Sequence, residues 1–148
     1  MGKFQELLTL MVDQNQFTCG YSFNRVSPQN QAWKLNPETA SVGFIYRHSG
    51  EIMLLLGTFL GETTDAENTT MGFGDTGQGT DTGKAAALVN RGYEMLYRLA
   101  DSHEEDWWHE RISTPFFGEI ERIKMFAHIL NHNSHHAGQI SLTLARHQ

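Results

Sequence analysis

Apolar residues recur at helical spacing in four stretches of the chain. From about Lys3 to Phe23, the positions Phe4, Leu7, Leu8, Met11 and Phe17 follow the helical period of about 3.6 residues, which predicts a helix with one buried face. A polar connection with Pro28 and Pro37 comes next. The second stretch, "VGFIYRHSGEIMLLLGTFL", stands behind Thr39 and Ser41. Either can cap it, because a short hydroxyl side chain accepts the unpaired N–H groups of a first turn. Asp81 or Thr82 is placed to cap a third helix that runs to about Ser102, with Ala85, Val89, Tyr93, Leu96 and Ala100 as its stripe. "STPFFG" breaks the chain around Pro115, and a fourth helix is expected from about Glu119 to Arg146. No segment reads convincingly as a strand, and no internal repeat is present.

Four amphipathic helices without strands predict an all-α four-helix bundle, a single domain over residues 1–148. The Gly/Thr/Asp-rich stretch from Gly61 to Gly83 bears on the wiring. Antiparallel neighbours need only about 2–8 connecting residues, far fewer than this stretch holds. A helix of about 20 residues is roughly 30 Å long, and an extended loop of this size can cross that distance. A crossover that leaves helices two and three parallel is therefore feasible, and a floppy insertion is the alternative. Inside the loop, Gly72, Gly74 and Gly77 match the spacing of a dinucleotide-binding fingerprint. That motif needs a strand before it and a helix N-terminus after it. The preceding "AENTTM" is no buried strand, so the match is set aside.

The formal net charge of −6 and the lack of any Lys/Arg run exclude a sequence-independent nucleic-acid binder. The single Cys19 excludes an internal disulfide and suits a reducing compartment. The first residues contain no signal-peptide pattern, and no run approaches the roughly 20 apolar residues of a membrane span. A cytoplasmic protein is the expectation, which leaves the sequon Asn68-Thr69-Thr70 idle.

Histidine is the concentrated chemistry. Of eight histidines, His128, His132, His135 and His136 crowd into one segment. At about 100° per residue, His128, His132, His136 and Gln139 fall within roughly 80° of one another, away from the stripe of Ile123, Phe126, Leu130, Ala137 and Leu144. Met125, Ile129 and Ile140 flank them, so this edge either lines a pocket or is a solvated polar face. His48, by contrast, lies amid Phe44, Ile45, Ile52, Leu55 and Phe59 and should point inward. Alone it reads as a core histidine with one hydrogen bond. Opposite a pair of imidazoles one turn apart, it could also close three corners of a metal tetrahedron.

The segment "HNSHHAGQI" resembles the H-x-x-x-H-x-G-Q ending of the DinB-like superfamily, which includes the YfiT-like metalloenzymes and bacterial thiol transferases. "SVGFIYRHSGEI" looks like the helix-two segment of that family, and the order of four helices covers nearly the whole chain. The resemblance implies an up-down-down-up bundle, commonly a homodimer. It also implies a divalent metal ion, zinc or nickel, held by His48, His132 and His136. Gly138 and Gln139 match the motif's tail, and Gln139 would orient His136 or a water by hydrogen bonding. His128 and His135 are additional to the motif. His128 is expected as a partly solvated neighbour, with a supporting or competing ligand role as alternatives. Glu51, one turn beyond His48, is the best-placed carboxylate for general-base work, although a solvated charge at the helix edge is the favoured reading.

Three neutral ligands leave a divalent ion strongly Lewis-acidic, lowering the pKa of a water or thiol in its open position. The implied function is a metal-dependent thiol S-transferase acting with a low-molecular-weight thiol on a small-molecule substrate. A metal-dependent hydrolase and a non-catalytic metal- or ligand-binding stress protein are the alternatives. Cys19 on an amphipathic helix reads as core, not as a nucleophile. Two features stand apart from the histidines. Gly43, Gly50 and Gly57 recur every seven residues on helix two, opposite His48, and imply a close helix contact within the bundle or across a dimer. In "EEDWWHE", Trp107 and Trp108 either cap the bundle or line the pocket.

Overall fold

Ser41 and Asp81 do start two of the helices. The Ser41 hydroxyl accepts the Phe44 N–H at 3.3 Å, and Asp81 Oδ1 accepts the Lys84 N–H at 2.9 Å. A computed structural model of the chain describes residues 2–147. In chain order these hold α1 (Lys3–Phe23), α2 (Val42–Gly57) with a 3-10 turn over Thr58–Leu60, and α3 (Thr82–Ser102). A short α4 (Glu105–His109), two strands β1 (Arg111–Thr114) and β2 (Gly118–Glu121), and α5 (Arg122–Arg146) complete the order. The protein is mostly helical, and no described helix is long and apolar enough to cross a membrane.

The four long helices share one core, in which Leu8 and Val12 of α1, Met53 of α2, Leu96 of α3, and Phe126, Ile129 and Ile140 of α5 are almost wholly buried. α2 packs on α3 and α5, and α1 packs on the same two helices. The glycine ridge sets how closely α2 and α3 approach. A Cβ on Gly50 would lie 2.7 Å from Leu88 Cβ and 2.8 Å from the Val89 nitrogen, closer than real atoms come. Gly43 abuts Gly79, and Gly57 abuts Met95. The ridge is therefore occupied inside the chain. Position numbers rise together along this contact, so α2 and α3 run parallel. α1 and α3 run antiparallel, since Gln5 bonds the Asp101 carbonyl at 3.0 Å while Asn15 meets Tyr93 at 2.9 Å.

A parallel α2/α3 pair requires the long loop to return along the protein, and the loop is pinned at several points. Asp75 accepts the Ser41 N–H at 2.8 Å, Arg47 donates to the Gln78 carbonyl at 3.2 Å, and Thr69 and Thr70 reach Glu51. It is a docked crossover, not a floppy insertion. Gly72 and Gly77 take positive φ within it, at 83° and 96°, and neither a strand nor a phosphate-facing helix flanks them.

The hairpin corrects the expectation of a strandless chain. β1 and β2 pair antiparallel, with Ile112 opposite Ile120 and Thr114 opposite Gly118. Gly118 has φ of 63°, and Thr114 Oγ1 accepts the Phe117 N–H at 3.0 Å, which together turn the chain. Each strand is four residues long and only partly buried, too short for a two-residue period to stand out. Glu119 belongs to β2, so α5 begins three residues later than expected. In α4, Trp108 is fully buried against Phe126 with ring centroids 5.0 Å apart, and Trp107 stacks on His103. The tryptophans serve packing and do not line the cavity beside His48 and His136.

Candidate metal centre

His48 projects from the middle of α2, and His132 and His136 project from successive turns of α5. Their Nε2 atoms converge. His48 Nε2 lies 3.2 Å and His136 Nε2 3.0 Å from His132 Nε2, and one ring nitrogen from each residue falls in a group within 4.8 Å. Four nitrogens at about 2.05 Å from a tetrahedral ion would be about 3.3 Å apart. The two short separations therefore match tetrahedral edges. All three rings are partly buried, and those of His48 and His136 line a cavity.

For His48 and His136, what the ring does on its far side fixes the lone pair, whereas His132 Nδ1 is buried without a partner. Glu51 is completely buried, which overturns its reading as a solvated charge. Its carboxylate accepts from Arg47 Nε at 2.6 Å, from the Thr69 N–H at 2.8 Å and from Thr69 Oγ1 at 2.7 Å. Thr70 Oγ1 adds a fourth bond at 3.0 Å. A carboxylate can only accept, so the Thr70 hydroxyl donates to Glu51. That hydroxyl must then accept from His48 Nδ1, 3.0 Å away. His48 carries its proton on Nδ1 and turns the Nε2 lone pair toward the other histidines. At His136, Gln139 Oε1 lies 2.6 Å from Nδ1 and does the same by a shorter route. Held imidazoles of this kind are the usual support of a metal ligand.

Electrostatics keep the rings neutral. Burial, reinforced by His136, lowers the His48 pKa to about 4. Burial and the neighbouring histidines lower that of His132 to about 3. Burial also lowers the His136 pKa, against an opposing hydrogen bond to Gln139. Burial alone would raise the Glu51 pKa. Its bonds from Arg47, Thr69 and Thr70 outweigh that, and it stays below the usual carboxylate range. At neutral pH the site thus offers imidazole lone pairs, the form that ligates metal. Zinc and nickel both suit such a donor set.

The remaining sequence candidates fall outside the cluster. His128 packs its ring against Phe117, centroids 4.7 Å apart, and stands 6.1 Å from the His132 ring. His135 is exposed on the other side of His136. Cys19 is buried, and burial raises its pKa, which suits a core residue. Sequence reasoning missed Arg47, Thr69 and Thr70. Arg47 stands one turn before Glu51, a spacing that could have suggested a pair. The two threonines come from the crossover loop and carried no signal.

Beside the histidines lies a cavity of about 390 Å³. Its apolar wall is Leu35, Ala40, Phe44, Ile45, Met71 and Leu142, and His48, Thr70, His136 and Gln139 form its polar end. The size is within the roughly 300–1,000 Å³ typical of small-molecule sites. No protein-family model matches the chain, and comparison with curated proteins finds none similar.

Proposed function

We propose that His48, His132 and His136 hold one divalent metal ion, zinc or nickel, and that the chain is a metal-dependent enzyme acting on a small molecule in the adjoining cavity. The observation that carries this is the convergence of three neutral Nε2 atoms at separations suited to a tetrahedral ion. When bound, such an ion supplies a Lewis-acidic open position that lowers the pKa of a thiol or water. The chain's own residues do the rest. Glu51 acts through Thr70 to hold His48 in its ligating tautomer, Gln139 holds His136, and the apolar wall excludes water from one side.

The favoured activity is transfer of a low-molecular-weight thiol onto an electrophile, as the resemblance to DinB-like proteins suggests. In the same reading, the four long helices form an up-down-down-up bundle, supported by the parallel α2/α3 contact and the antiparallel α1/α3 contact. A homodimer and a cytoplasmic setting complete it, resting on the resemblance and on the lone cysteine.

Elemental analysis of the purified chain beside a His48→Ala/His132→Ala/His136→Ala variant is the test. About one equivalent of metal in the wild type and none in the variant is expected. A wild type that neither carries nor takes up metal overturns the proposal. Given metal, thiol consumption with a model electrophile supports transfer, and ester or amide cleavage without thiol replaces it with hydrolysis. Metal binding with neither activity leaves a binding protein.

A further inference from the structure

The cavity beside the histidines has a one-sided chemistry that narrows what it can hold. Among the described residues, His48 and His136 are the titratable side chains that line it. Two neighbouring charges are committed elsewhere. Glu51 lies behind Thr70, and Arg47 is spent on Glu51 and the Gln78 carbonyl. The hydroxyls of the lining are engaged as well. Thr39 Oγ1 donates to the Asn36 carbonyl at 3.0 Å, Thr143 Oγ1 to the Gln139 carbonyl at 2.7 Å, and Thr70 Oγ1 to Glu51. A ligand entering here meets the histidine rings and the Gln139 amide at one end and mostly carbon over the rest.

From this we infer that the cavity takes an amphiphile with one metal-directed donor atom and an uncharged apolar body lying over Phe44, Ile45 and Leu142. The role of the donor atom rests on the metal reading above; the exclusion of charge from the body does not. At about 30 Å³ per water-sized unit, the cavity has room for roughly a dozen non-hydrogen atoms. A carboxylate or ammonium group on the body would lose its water without gaining a partner, which is strongly unfavourable. A multiply charged thiol is thereby excluded from the cavity.

Hexane-1-thiol and 6-sulfanylhexanoate, equal in chain length and differing by a distal carboxylate, test this directly. With the Co(II)-loaded full-length chain, the sulfur-to-metal charge-transfer band reports binding without any turnover. The neutral thiol should bind at least ~10-fold more tightly, since an unpaired carboxylate resists burial. Equal affinities, or tighter binding of the carboxylate, overturn the inference. Leu142 is 52% exposed at the cavity mouth, so Leu142→Arg should fold, and it should reverse the preference by supplying a cation. No change in preference counts against the inference.

Methyl NMR of the metal-free chain separates this from the metal reading. Saturable shifts of the Met71 and Leu142 methyls with hexane-1-thiol, at concentrations where 6-sulfanylhexanoate leaves them in place, sustain the cavity assignment even if Co(II) is never taken up. In that case the metal proposal alone fails. Methyls that respond to neither ligand, or to both alike, sink the cavity assignment whatever the metal result.

Discussion

The two helices that build the centre hold their histidines in different ways. On α2, His48 is the end of a buried chain, Thr70 to Glu51 to Arg47, that also fastens the crossover loop. On α5, His132 and His136 are related by the helix repeat itself, with added support for His136 from the exposed Gln139. The α2 side therefore couples the histidine cluster to folding. The α5 side supplies geometry at little structural cost, and damage there should stay local.

The largest effect that separates the two sides is expected from Glu51→Ala. It strands the mostly buried Arg47 guanidinium and the Thr69 N–H. Breaking a buried ion pair typically costs about 3–5 kcal/mol, so urea unfolding of the metal-free chain should show a loss of that order. A loss below about 1 kcal/mol, the range of exposed pairs, would mean that Glu51 is not the anchor of the loop.

Next comes acid sensitivity. An unfolded histidine titrates near 6.5, whereas folded His48 titrates at about 4 and His132 at about 3. Between those values the unfolded chain holds protons that the folded chain does not. Stability of the metal-free protein is therefore level above pH 6.5 and falls as pH drops below it. The slope reaches up to about 1.4 kcal/mol per pH unit for each such histidine. Glu51, with a lowered pKa, adds a loss of the same sign only below about 4.5. Denaturation midpoints between pH 5 and 6.5 isolate the histidines. His132→Gln should flatten the profile there, and an unchanged slope would contradict the assignment of these rings as neutral.

Thr70→Val keeps the shape of the side chain and removes the hydroxyl between Glu51 and His48. Removing such a supporting partner commonly costs 10–100-fold in metal affinity, and about that loss is expected in a zinc competition titration. On α5, Gln139→Ala should weaken metal by about 10-fold or less, because its bond to His136 is exposed, and should leave the unfolding midpoint unchanged. If Gln139→Ala proved the more damaging of the two, the asymmetry would be reversed.

These two sides also differ in how far the sequence exposed them. The α5 pair and its glutamine were legible because one-turn spacing brings side chains together wherever a helix forms. His48 was legible as an inward-facing histidine on an apolar stripe. Ser41 and Asp81 marked helix starts for the same local reason. What escaped depends on contacts distant in sequence. Glu51 looked like an edge charge because its neutralising partners Thr69 and Thr70 arrive from the crossover loop. Nothing in "ENTTMGFG" marked two threonines as the cage of a carboxylate. The hairpin escaped because four-residue strands carry too little alternation. The glycine ridge announced a close helix contact, but only the fold shows that α3 fills it.

The central claim is that three imidazoles from these two helices bind one ion and leave a position open. X-ray absorption of the zinc-loaded chain tests it most directly. The account predicts three imidazole nitrogens at about 2.0–2.1 Å and one further light-atom ligand that exchanges when a thiol is added. A shell with fewer than three imidazoles, or one that stays the same when a thiol is supplied, would contradict it.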